Sequence, residues 1–68
     1  MEFIYVVKVH YDYEGSDPRG YFSTEEKAVE LAEKINKNDK TLDGITVEEF
    51  YIDEEYDYDE HEKIIKIR

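Results

Sequence analysis

The chain has 68 residues, 40% of them hydrophobic, no cysteine and a formal net charge of −10. That length allows one core, and without disulfides or thiolate metal sites to staple it, stability is expected to be marginal or helped by dimerisation. No apolar run approaches the roughly 20 residues of a membrane span, Met1-Glu2-Phe3 lacks a basic leader pattern, and the charge disfavours contact with nucleic acid or anionic lipid, so the expectation is a soluble cytoplasmic protein that meets basic partners.

Residues 3–13 read as the strongest strand. Phe3, Tyr5, Val7, Val9, Tyr11 and Tyr13 share one parity, while Ile4, Val6, Lys8, His10 and Asp12 share the other and turn polar halfway along. This strand is expected to be central, with its odd face toward the helix. Glu14 to Gly20 reads as a turn, because Pro18 cannot donate to a ladder and glycine tolerates positive φ. Tyr21-Phe22 then returns as a short second strand.

Ser23 to about Asn38 reads as a helix. Ser23 and Glu26 have the spacing of a reciprocal capping box. Ala28, Leu31, Ala32 and Ile35 recur at helical spacing and draw one apolar stripe, expected to pack on Tyr5, Val7 and Val9. Glu25 and Glu26 near the start, with Lys34 and Lys37 near the end, match the helix dipole. Asn38 to Gly44 is a polar connection. In the next strand, Ile45 to Ile52, the alternation slips: Ile45 and Val47 have one parity, Phe50 and Ile52 the other. A bulge near Glu48-Glu49 would bring both pairs to the core. Glu62 to Arg68 closes the pattern as a last strand. The expected fold is α+β: one domain over residues 1–68, an antiparallel sheet of three to four strands, and one helix on a face (ββαββ or βαββ).

The unusual chemistry lies between the last two strands. Glu48, Glu49, Asp53, Glu54, Glu55, Asp57, Asp59, Glu60 and Glu62 are nine of the chain's 19 acids, with no Lys or Arg among them. Tyr51, Tyr56 and Tyr58 are threaded through. Alternating Tyr and Asp is what a sheet face with one wet side would show. Crowding nine like charges without a neutralising lysine, however, destabilises the fold by self-repulsion. A surface selected for binding accounts for that crowding better than solubility does. The expected partner-binding set is Glu48, Glu49, Asp53, Glu54, Glu55, Tyr56, Asp57, Tyr58, Asp59, Glu60 and Glu62, with Asp12, Glu14 and Asp17 as possible additions.

Tyr5-Val6-Val7, Tyr11-Asp12-Tyr13-Glu14-Gly15 and the run from Gly20 to Ala28 resemble small uncharacterised acidic α/β proteins of Gram-positive bacteria and their phages. The resemblance covers roughly residues 3–30 and implies a small α/β domain, with no catalytic residue to carry over. The charge profile is separately similar to phage-encoded DNA mimics, which inhibit a host DNA-binding protein by covering it with ordered carboxylates. The geometry behind that likeness is simple. Residues i and i+2 of an extended strand lie about 6.6 Å apart, close to the phosphate separation along one DNA strand. Asp53, Glu55, Asp57 and Asp59 share one parity, so in an extended segment they would form a phosphate-like row for the Lys and Arg of a basic DNA-binding protein, such as a histone-like nucleoid protein. Tyr56 and Tyr58 would add amphipathic contact area.

Two other functional classes are weaker. The Asp53, Glu55, Asp57, Asp59 rhythm suggests a calcium loop, but Tyr58 stands where the turn needs Gly and Ile64 where a bidentate Glu belongs, so no metal or cofactor is expected. With two histidines, His10 and His61, no cysteine, and Ser16 and Ser23 read as turn and cap, no catalytic constellation emerges and an enzyme is not expected. The alternative of a different class is a structural or regulatory domain that forms a homodimer through a sheet edge, with no nucleic-acid connection.

Overall fold

A computed structural model describes residues 3–12, 15–52 and 63–68. Five elements follow in order: β1 (Phe3–Tyr11), β2 (Gly15–Phe22), α1 (Glu25–Asn38), β3 (Gly44–Tyr51) and β4 (Lys63–Lys66). The strands form one antiparallel sheet in the order β2-β1-β3-β4, so β1 and β3 are central and α1 covers one face. The fold is the expected ββαββ form of a small α+β domain.

The helix-covered core joins Val7 and Val9 of β1, Ala28 and Ala32 of α1, Ile45 and Val47 of β3, and Leu42. Tyr5, Leu31, Ile35, Ile65 and Ile67 pack around it, half-buried. The two residues that α1 buries completely are alanines, which lets the helix backbone approach the sheet closely. The apolar stripe therefore packs where its spacing implied, with Leu31 and Ile35 at its margins rather than its centre.

Several local expectations change. β2 is a strand of eight residues, not two, and runs straight through the predicted turn. Pro18 is tolerated because β2 is an edge strand, which needs a ladder on one side only. Gly20 stands opposite Val7 and Pro18 opposite Lys8, so Arg19 is an extra residue and the sheet's bulge falls here. Gly20 is also a close-approach site. A Cβ there would stand 2.8 Å from the Phe22 ring and 3.0 Å from Leu31 Cδ2. Gly15, with φ of 84°, turns the chain into β2 in a conformation that disfavours other residues.

β3, by contrast, has no bulge. It pairs with β1 residue for residue from Phe3–Tyr51 to His10–Gly44. The parity slip is real, and Phe50 simply points to the helix-free face with Thr46 and Glu48 while Ile45 and Val47 point to the core. The helix cap moves by one residue. Thr24, extended at φ −130° and ψ 146°, accepts the Lys27 amide on its hydroxyl at 3.3 Å. Counted from Thr24, the third helical residue is Lys27, which has no carboxylate to complete the box predicted for Ser23 and Glu26.

The α1–β3 connection is less polar in structure than in composition, since Leu42 is buried in the core. Arg68 organises this corner. Its Nε donates to Asn36 Oδ1, its Nη1 to the Leu42 carbonyl, and its Nη2 to the carbonyls of Asn36 and Asp39, each at 2.8 Å. A guanidinium thus satisfies carbonyls left open where the helix ends, and its charge suits the negative helix terminus. Ile67 and Arg68 both donate their amides to the Ile45 carbonyl, which carries the β4 contact past Lys66.

Candidate functional site

The acidic connection is rooted at one end of the sheet. β3 and β4 are antiparallel neighbours, with Glu49 opposite Lys63, so the chain leaves after Ile52 and returns at Lys63 on the same end. The two roots are held differently. Tyr51 packs against Phe3 with ring centroids 4.6 Å apart, and Phe3 in turn stacks near Tyr5 at 6.5 Å. Lys63 Nζ reaches Glu25 Oε1 at 2.7 Å, tying the return strand to the first turn of α1. Glu25 beside the ammonium raises the Lys63 pKa above its ordinary value, first through this hydrogen bond and then through charge attraction. Both partners are substantially exposed, so water screens the pair and its part is positional.

Glu48 and Glu49 begin the predicted binding set, and the sheet separates them. Glu48 faces away from the helix, is only 6% exposed, and meets Lys8 Nζ through Oε2 at 2.9 Å. The same ammonium stands 5.8 Å from the Phe50 ring centroid. Glu49 faces the helix side, where the Tyr5 hydroxyl donates to its Oε2 at 2.8 Å. That hydrogen bond to a carboxylate, more than burial, raises the Tyr5 phenol above its usual pKa. Both carboxylates are thus engaged inside the scaffold, on opposite faces. They do not form one surface. Asp53, Glu54, Glu55, Tyr56, Asp57, Tyr58, Asp59, Glu60 and Glu62 lie outside the described residues.

The suggested additions that are described lie toward the end of the sheet opposite the root of the acidic connection. Asp12 follows the far end of β1, roughly 30 Å along the strand from Phe3, and Asp17 is paired with Val9 in that half of the sheet. Glu14 falls outside the described residues. His10 is accounted for by Thr46, whose hydroxyl is 2.8 Å from Nε2 on the helix-free face. Among the described residues, no three His, Asp or Glu side chains converge as metal ligands, and the calcium-like spacing falls on residues that are not described.

The helix-free face is the feature that sequence reading missed. Across its middle run Tyr21, Val6, Glu48 and Ile64, one from each strand, with Ile4 and Phe50 in the neighbouring row. Tyr21 is 62% exposed, Ile64 53% and Ile52 40%, and these are the large exposed hydrophobics among the described residues. A shallow apolar hollow of about 210 Å³ lies between Phe3, Ile4, Tyr21, Phe22, Ser23 and Ile52, beside the root of the acidic connection. The even parity of Ile4, Val6, Phe50, Ile52 and Ile64 was the available signal.

A family model described as a domain of unknown function (DUF7336) matches residues 2–63. The chain belongs to this family. The DUF7336 match spans β1 to β3, the helix and the whole acidic connection, and stops at the first residue of β4. Among curated proteins and solved structures, none matches this DUF7336 domain. No helix among the described residues is long and apolar enough to cross a membrane.

Proposed function

We propose that this domain is an acidic protein-binding module rather than an enzyme, and that the connection between β3 and β4 occupies the DNA-binding site of a basic protein, such as a histone-like nucleoid protein, in the manner of a DNA mimic. The observation that carries the reading is how charge is distributed along the chain. In the scaffold, Glu48 has Lys8, Glu25 has Lys63, Glu49 has Tyr5, and Asp39 has Thr41. Between Ile52 and Lys63 the sequence places seven acids and no Lys or Arg. A scaffold that balances its own charges, and roots so acidic a segment between an aromatic pair and an ion pair, suits presentation of that segment to a cationic surface. Lys and Arg that hold phosphates would bind carboxylates with the same release of counterions.

The test is displacement of DNA. Added to a histone-like protein bound to DNA, the domain is expected to release DNA at near-stoichiometric ratios, less so as salt rises. Replacing Asp53, Glu55, Asp57 and Asp59 together with Asn or Gln should weaken the release and flatten its salt dependence, while the fold is retained or stabilised by relief of repulsion. Gel shifts across a salt series, against several basic proteins, read both effects. If the wild-type domain displaces DNA from none of them, the mimicry reading fails.

A further inference from the structure

From the helix-free face we infer that two copies of this chain associate sheet to sheet, forming a four-layer helix–sheet–sheet–helix dimer. Val6 and Glu48 are already covered at the centre of this face, whereas Tyr21, Ile52 and Ile64 around them stay open to solvent. Tyr21 and Ile64 lie on opposite edge strands in one transverse row, so exposed apolar side chains stand at both margins of the sheet, with Val6 and the ion-paired Glu48 between them.

Charge selects the partner. On a chain of net charge −10, most surfaces would set carboxylates against carboxylates in a second copy. The helix shows Glu25, Glu26, Glu30 and Glu33. The ladder positions of the open face hold one acid, Glu48, already paired with Lys8, beside Lys66 and His10. An antiparallel dyad also lays the Lys66 end of each copy toward the end of the other from which the acidic connection departs. At its ladder positions the face is therefore one that a second acidic copy can meet without adding opposed carboxylates.

Area sets the strength. Strands of nine, eight, eight and four residues tile roughly 450 Å² of flat sheet at about 4.8 Å spacing and 3.3 Å rise. Two such faces, roughened by side chains, reach the lower bound of about 1,000 Å² for a specific interface. The result is a weak, concentration-dependent dimer with sheets about 10 Å apart. The edges offer less. β2 is interrupted by Pro18 and its bulge, and β4 has four residues.

Sedimentation equilibrium on the full chain, up to about 1 mM, tests the inference. Wild type is expected to shift from monomer to dimer across that range. Ile64→Glu and Tyr21→Glu, each at a solvent-open position, should each weaken the dimer at least about tenfold, with circular dichroism unchanged. Asn38→Glu adds the same charge at the exposed end of the helix and should leave association intact. Edge pairing through β4 would respond to Ile64→Glu and not to Tyr21→Glu. A wild type that stays monomeric throughout, a dimer indifferent to Tyr21→Glu, or one equally weakened by Asn38→Glu would overturn the inference. The measurement contains no DNA or basic protein, so its outcome is independent of the proposed mimicry.

Discussion

The two faces of the sheet are built by the same strands and solve different problems. Toward the helix, Val7, Val9, Ile45 and Val47 are fully or almost fully buried, and the alanines of α1 close over them. Away from it, a carboxylate is sunk beside Val6, an ammonium covers it, and three large apolar side chains remain open. Stability is concentrated on the first face, where apolar area leaves water and packing is dense. The second face spends burial on an ion pair, whose desolvation offsets much of its attraction. It contributes less to folding and has more to offer a partner.

The largest effect expected from that contrast is at Ile45. Ile45→Ala removes a fully buried side chain from the helix-side core and should lower unfolding free energy by about 2–5 kcal/mol. The same truncation at Ile64, 53% exposed on the other face, should stay within about 0.5 kcal/mol at concentrations where the chain is monomeric. Urea unfolding of the two variants compares the faces directly. Equal losses would mean that the open face is packed as tightly as the covered one.

A medium effect is expected at the ion pair. Glu48→Ala leaves Lys8 without this partner and should cost about 1–2 kcal/mol, below the figure of about 3–5 for a fully buried pair, because the Lys8 side chain keeps 29% of its exposure. Replacing both residues, Lys8→Met with Glu48→Leu, should recover most of that loss. If the double variant is no more stable than Glu48→Ala alone, the pair is irreplaceable and the open face is built around it.

The smallest effect belongs to the rim of the covered face, where the helix ends. Asp39 Oδ1 accepts from the Thr41 hydroxyl at 2.6 Å and the Thr41 amide at 2.9 Å. These bonds, the hydroxyl first, hold the Asp39 carboxyl below its ordinary pKa. A depressed folded pKa gives stability that is present above the unfolded value, near 4, and is lost as pH falls through the folded value. Thermal melts between about pH 2 and 5 should show Asp39→Asn with a shallower acid-side decline than wild type. Parallel curves would remove Asp39 from the acid response.

Much of this architecture was legible in the order of residues. β1 was visible in its alternation, α1 in the spacing of Ala28, Leu31, Ala32 and Ile35, and the charge segregation in simple counting. These are local or compositional properties, and period and charge survive without knowledge of what packs where. Position within the sheet was legible for β1, expected and found to be central, but not for β2. Pro18 forbids a central strand but permits an edge, and only the order β2-β1-β3-β4 makes β2 an edge. Phe50 and Ile52 invited a bulge because a two-layer domain needs only one apolar face. The structure keeps strict register instead, and among the described residues no helix covers the second, half-apolar face. Glu48 reads as one acid among nine until Lys8 and Phe50 are placed beside it from other positions in the chain. Leu42 and Arg68 carry no periodic signal at all. The Arg68 guanidinium takes its role from bonds across 26 residues or more, and Leu42 from a core assembled from β1, α1 and β3, where sequence distance and spatial distance part company.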